Sequence, residues 1–316
     1  SSAASDVYKR QPQALVLSQV QLADLPLQLP AFFRVQVHAM VLDEVMLSEA
    51  ATHGRLLGDF ALQALAEEFP FLTRLDIRSG EWGAGLSQMV ADAWPRLTAL
   101  GLREQRRLIG LQDLRALAGL PSLRWLELSG SRVHNMPITA LNGLTLDYLG
   151  LDWLDLEAWP HWLDNLALDR IGELSLVGNR LVELPVLVLE DSQPRGRPMR
   201  IALQGNQFTY QALLDLRLSE HFRGRFAFDL ELSPALADEL NQRVQERVQL
   251  HAGLQAWAEP AEASAALTAE HHAYRERIAL ALLEYWRSTL RNMGASRLYL
   301  TCLLYTSPSP RDRQKS

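Results

Sequence analysis

Apolar residues return along this chain in a fixed figure: a leader, then two apolar positions flanking one variable position, then a follower. Ile171-Gly-Glu-Leu174-Ser-Leu176-Val-Gly-Asn179-Arg-Leu181 shows it fully, as L-x-x-L-x-L-x-x-N-x-L. Weaker copies run through Leu123, Leu126, Leu128, Ser131 and Val133, through Leu146, Leu149, Leu151, Leu154 and Leu156, and through Leu72, Leu75, Ile77, Gly80 and Trp82. Leu97, Leu100, Leu102 and Gln105 give a partial copy. Upstream lie Val37, Met40, Leu42, Val45 and Leu47, preceded by Leu15, Leu17, Val20 and Leu22; downstream lie Ile201, Leu203, Asn206 and Phe208. Indexed on the first member of each pair, the repeats start at 15, 40, 75, 100, 126, 149, 174 and 201, with gaps of 25, 35, 25, 26, 23, 25 and 27. Pro26, Pro137, Pro160 and Pro185 each follow their index position by eleven residues, a second register in phase with the first.

In a strand, side chains two apart point the same way, so each L-x-L pair makes a short strand with one apolar face. One such strand cannot bury that face alone, whereas stacked copies share a continuous core and a parallel sheet. The figure and its period are those of leucine-rich repeats. The expected fold is therefore α/β, a leucine-rich-repeat solenoid with a parallel β-sheet horseshoe, followed by a C-terminal helical hairpin. The 35-residue gap calls for an insertion, placed at the helical stretch 56–71. The Asn position of the template bonds backbone within the turn. Only Asn179 and Asn206 keep it; Val20, Val45, Gly80, Gln105, Ser131 and Leu154 stand elsewhere, which predicts a broken polar ladder and irregular early repeats.

The repeat domain is expected over residues 12–218 and a strand-plus-helix spacer or cap over 219–295. Thr209 is placed to cap a helix over 210–218. Phe226, Phe228, Leu230 and Leu232 alternate with Ala227, Asp229 and Glu231, the pattern of one strand. Ser233-Pro234 reads as N-cap and first helical position. Leu236, Leu240, Val244, Val248, Leu250, Leu254 and Trp257 continue a helical stripe, and a second helix is expected over 268–292 with Tyr274, Ile278, Leu282, Tyr285, Trp286 and Leu290 as its apolar face. Residues 296–301 resemble the first repeat, Ser296-Arg-Leu298-Tyr-Leu300 against Ala14-Leu15-Val-Leu17, and are read as the start of a second block.

Composition changes this picture at the ends. Residues 1–11 and 302–316 have no amphipathic period and resemble translated adapter sequence, so they are read as non-native scars and set aside. Removing Lys9, Arg10, Arg311, Arg313 and Lys315 with Asp6 and Asp312 leaves 26 basic and 35 acidic residues, a net charge of −9. Cys302, the only cysteine, goes with them, as does every lysine. Codon bias in a GC-rich genome accounts for the missing lysine, as would selection against ubiquitin-acceptor amines. The acidic balance argues against nucleic acid as the main partner. No apolar run reaches the length of a membrane-spanning segment. A disulfide framework and a cysteine-based zinc cluster are excluded by the cysteine count.

The catalytic motifs sought, among them H-E-x-x-H, G-x-S-x-G, a phosphate-binding loop and a dinucleotide fingerprint, are missing from the sequence, and the eight histidines are scattered. No catalytic, cofactor or metal residue is expected, and no enzyme activity in this chain. The informative surface is the open face of the sheet. The positions before, between and after each apolar pair place Arg74, Asp76, Arg78, Arg103, Trp125, Glu127, Tyr148, Asp152, Trp153 and Arg200 there as partner-binding residues facing solvent. Trp125 and Tyr148 fall in one column on neighbouring strands, and Trp, Tyr and Arg are the side chains that dominate binding hot spots. The expected role is protein–protein interaction on this concave face. The alternative is a structural or adhesion-type repeat spacer without a dedicated partner.

The repeats with their Leu184-Pro185-type tails, together with Asn179 and Asn206, resemble bacterial leucine-rich-repeat proteins, and in particular large Gram-negative proteins that include IpaH-type effectors. The closing repeat Gln204-Gly-Asn206-Gln-Phe208 and the stretch Arg277-Ile278…Tyr285-Trp286-Arg287 resemble the linkers of those proteins. The resemblance implies a substrate-recognition region of a secreted or host-translocated effector, with a novel-E3-ligase domain elsewhere in the full-length chain. That ligase's hallmark is a nucleophilic Cys in a Cys-x-Asp motif. Cys302 is followed by Leu303 and Leu304, so no catalytic residue carries over.

Overall fold

The structure, a computed structural model, describes residues 14–19, 36–45, 55–79, 85–133, 144–160, 163, 170–190 and 197–258, without the side chains of 55–61 and 254–258. Among these residues one strand arises from each repeat, and the strands pair in chain order, all parallel: β1 (Ala14–Ser18), β2 (Ala39–Asp43), β3 (Arg74–Arg78), β4 (Ala99–Arg103), β5 (Trp125–Glu127), β6 (Leu146–Gly150), β7 (Ile171–Ser175) and β8 (Met199–Ala202). The register aligns the index residues, Leu15 with Met40, Leu75, Leu100, Leu126, Leu149, Leu174 and Ile201. Both members of the pair are almost wholly buried in every strand from β3 to β8. The fold is a leucine-rich-repeat solenoid.

The connections lie on the other side of the strands. Helix α1 (Arg55–Glu68) fills the longer span between β2 and β3, α2 (Leu86–Ala93) follows β3, and α3 (Leu111–Ala118) follows β4. Between β7 and β8 the described residues include one helical turn, α4 (Val186–Leu189), and α5 (Tyr210–Phe222) follows β8. Thr209 caps α5, its hydroxyl accepting from the Ala212 N–H at 3.1 Å.

The sheet runs one strand further than the spacing predicts. β9 (Phe226–Asp229) pairs with β8 in parallel, Phe228 beside Ile201. The repeat array therefore does not end before residue 220. The last rung carries Phe228 and Leu230 as its pair, but Arg225 stands where earlier rungs have an apolar leader, so the template misses it although the alternation is visible. Compact units divide the chain at Ser1–Leu232 and Ser233–Ser316. In the second, α6 (Pro234–Ala258) starts with the Ser233 hydroxyl accepting from the Leu236 N–H. The second helix of the expected hairpin, the block at 296–301 and both terminal segments lie outside the described residues.

The polar ladder is more complete than the template predicts. Asn179 donates to Leu151 and Leu176 carbonyls and accepts from the Leu154 and Leu156 N–H groups, all within 3.1 Å. Asn206 donates to the Leu176 and Leu203 carbonyls and accepts from Leu181. Gln105 donates to Ile77 and Arg103, and Ser131 donates to Leu102 while accepting from the Gln105 N–H. Amide and hydroxyl thus do the work of Asn at those two turns, because any side chain with a donor and an acceptor can satisfy buried turn backbone.

A second column organises the exit from each strand. Four residues past each index position the backbone is left-handed: Gln19, Glu44, Ser79, Glu104, Gly130, Trp153, Gly178 and Gly205, with φ between 50° and 73°. Its N–H reaches the carbonyl three past the index in the next repeat, as in Gln19 to Asp43, Glu104 to Ser129, Trp153 to Val177 and Gly178 to Gln204, at 2.8–3.0 Å. This backbone ladder fixes the conformation whatever the side chain.

Candidate functional site

The open face carries three columns: the residue before each index position, the one between the pair, and the one after it. The first holds Trp125 and Tyr148, which stack with ring centroids 4.2 Å apart and planes at 16°. The second runs Asp76, Gly101, Glu127, Gly150, Ser175, Ala202 and Asp229 across β3 to β9. The third runs Arg78, Arg103, Ser129, Asp152, Val177, Gln204 and Glu231.

Several of these side chains are not where the expectation of a solvent-facing row puts them. Asp76, Glu127, Tyr148 and Asp152 are buried. The cause is the size of the neighbours. A Cβ at Gly101 would overlap the Asp76 carboxylate, and one at Gly150 would overlap that of Glu127, so each acid lies flat in a slot made by the next strand's glycine. Tyr148 is covered by Trp125 and its surroundings and is 2% exposed. Trp153 is the opposite case, a large side chain 67% exposed. It occupies the left-handed column, and its ring lies against Gly178, where any Cβ would collide with it.

The face closes around a cavity of about 610 Å³. Of the predicted binding residues, Arg78, Arg103, Glu127, Tyr148, Asp152, Trp153 and Arg200 line it; Arg74, Asp76 and Trp125 do not. Sequence reasoning gave no role to Ser129, Ser175, Asp229 or Glu231, which also line it. The column arithmetic finds all four once β9 is admitted as a rung.

The charges divide into paired and unpaired. Arg78 binds Glu104 at 2.8 Å and holds its carboxyl below the usual range. Arg103 forks onto Asp76, its Nε 3.1 Å from Oδ1. Arg200 binds Asp229 at 2.6 Å. Glu127 and Asp152 instead accept only neutral donors: Glu127 takes the Ser129 hydroxyl and N–H, and Asp152 takes the Ser175 hydroxyl at 2.5 Å and the Val177 N–H at 2.9 Å. Burial, with Asp152 close by, pushes the Glu127 carboxyl up to about 7. Burial also raises Asp152 and Glu173, the latter against the pull of Arg200. The Tyr148 hydroxyl is buried without a hydrogen-bond partner and is pushed far up by burial and by Glu127 and Asp152. Gln204 Oε1 is likewise buried and unpartnered. Among the described residues no three His, Cys, Asp or Glu side chains converge as ligands of a metal ion, and no helix is long and apolar enough to cross a membrane.

The chain is similar to an internalin (inlF) from Listeria monocytogenes, at 18% identity and a TM-score of 0.39, over 64% of this chain. The match spans about half of that protein, 49% of its length. No protein-family model matches the chain, and no curated protein matches it.

Proposed function

We propose that this chain is a protein-interaction module whose partner docks on the open face of the sheet, over β3 to β9. The observation that carries the reading is Trp153, a large ring left exposed at the rim of the cavity. Exposed Trp beside Arg is the usual composition of an interface anchor. Arg78, Arg103, Arg200, Glu127, Tyr148 and Asp152 line the same cavity; Arg74, Asp76 and Trp125 lie on the strands that carry the same face. The sequence resemblance extends the proposal to a recognition region of a secreted bacterial effector, in which a ubiquitin-transferring domain would lie elsewhere in the full-length protein.

Photo-crosslinking tests the reading. A benzophenone side chain placed at Glu231 or Gln204, on the open face, is expected to trap one defined host or bacterial protein, whereas one at Leu187, exposed on the opposite side, is not. Equal labelling from both sides, or none from the open face, would favour a spacer.

A further inference from the structure

We infer that the cavity on the open face receives a single cationic side chain of the partner, a guanidinium or an ammonium, held among Glu127, Asp152 and Glu173 beside Tyr148 and Trp153. The inference rests on the binding-face reading above and names the chemistry of the group that is bound. Three observations carry it. The three basic residues lining the cavity are already committed to Glu104, Asp76 and Asp229, so Glu127, Asp152 and Glu173 face the space without a bonded counter-charge. The Tyr148 hydroxyl, in a residue 2% exposed, lies beside Glu127 and Ser175 without a well-formed hydrogen bond and lines the same space, as does the buried and unpartnered Gln204 Oε1. Both atoms can accept from an N–H donor. Finally, Trp153, of the aromatic type that attracts cations most strongly, stands exposed at the rim.

Charge complementarity disfavours an anionic occupant, which would add like charge beside these carboxylates. The lack of a converging ligand set among the described residues turns the choice from a bare divalent ion toward a larger cation with several N–H groups. The raised carboxyl of Glu127 has the same origin: a buried acid lacking a counter-ion, which a bound cation would supply.

The test uses the full chain labelled at its tryptophan indoles, with the Trp153 resonance assigned from W153F. Titration with N-acetyl-Gly-Arg-Gly-amide and with its Lys and Gln counterparts is followed by NMR. The expected result is a saturable shift of the Trp153 indole with the Arg or the Lys peptide, dissociating in the millimolar range, and none with Gln. The stronger of the two identifies guanidinium or ammonium. D152N and E173Q should each weaken the interaction by about fivefold or more, while D43N, an acid of the same column in an early repeat, should not. No shift with either cationic peptide at about 50 mM, or an equal shift with the Gln peptide, overturns the inference. Should crosslinking from Glu231 or Gln204 still trap one partner while the peptides leave Trp153 unmoved, the binding face stands and the cationic anchor falls.

Discussion

Two buried acids two strands apart meet opposite fates. Asp76 on β3 and Glu127 on β5 occupy the same column, and each lies over a glycine of the next strand, Gly101 and Gly150. The residue two positions beyond that glycine decides the rest. Beyond Gly101 it is Arg103, which closes over Asp76 as a forked ion pair. Beyond Gly150 it is Asp152, a second acid. The backbone repeats, but the sign of one side chain turns a sealed pair into an open acidic cavity. In a solenoid, function can therefore be written by a single position of the repeat without disturbing the rung that carries it.

The largest effect should come from breaking the sealed site. Arg103→Met leaves the buried Asp76 carboxylate without its counter-charge, and removing one partner of a buried pair costs about 3–5 kcal/mol. Urea unfolding at pH 7 should show that loss as a lower midpoint at unchanged slope. A loss below about 1 kcal/mol would mean that the pair behaves as an exposed one.

The open site should respond with the opposite sign. The Glu127 carboxyl is raised to about 7 in the folded chain against an ordinary 4.5. Folded protein therefore holds this proton more tightly than unfolded protein does. The associated stability is fully present below about pH 4.5 and is lost as pH rises through about 7. Glu127→Gln removes that loss. The variant should match the parent near pH 4.5 and exceed it at pH 8 by on the order of 2–3 kcal/mol, read as the difference between the two urea midpoints. Equal pH profiles for the two proteins would refute the assignment.

A sharper comparison converts one site into the other. Asp152→Arg places at β6 the charge that Arg103 supplies at β4. The Glu127 titration, followed by carboxyl NMR, should move down from about 7, and the Trp153 response to cationic peptides should disappear. The variant also gives up the Ser175 and Val177 bonds to Asp152, so the shift in Glu127, rather than stability, is the quantity to read. A Glu127 titration that stays in place would show that proximity in the repeat does not bring the two side chains together.

The strands and their order were legible because the L-x-L pair reports directly on burial, and burial is what a parallel rung requires. Asn179 and Asn206 announced their turns for the same reason. What the pattern could not convey was depth on the open face. Asp76 and Glu127 read as surface charge because alternation assigns a side to a residue but says nothing about whether its neighbour leaves a slot. The glycines at 101 and 150 were the available signal, yet a lone glycine in a strand usually marks a bulge or close backbone approach. The template takes Gln105 and Ser131 as gaps in the ladder because it names a residue type, where the turn needs only a donor and an acceptor. The pattern leaves β9 outside the array, since Arg225 stands where the repeat has its apolar leader.

The smallest effect separates the ring of Trp153 from the backbone beneath it. Gly178 and Gly205 share the left-handed column at φ 69° and 73°, so alanine at either should cost about 1–2 kcal/mol for the conformation alone. Their surroundings differ. A Cβ at 205 would meet only Gly178 backbone at 3.4 Å, ordinary contact, whereas a Cβ at 178 would run into the Trp153 indole. Gly205→Ala should therefore leave Trp153 fluorescence unchanged. Gly178→Ala should lose stability by a similar amount and also displace the ring, shifting its emission and weakening the cationic-peptide response. Matching spectra for the two variants would show that the indole does not rest on Gly178. It would also remove the ledge that holds an exposed Trp at the mouth of the cavity, because a ring free to leave could not act as a preorganised wall.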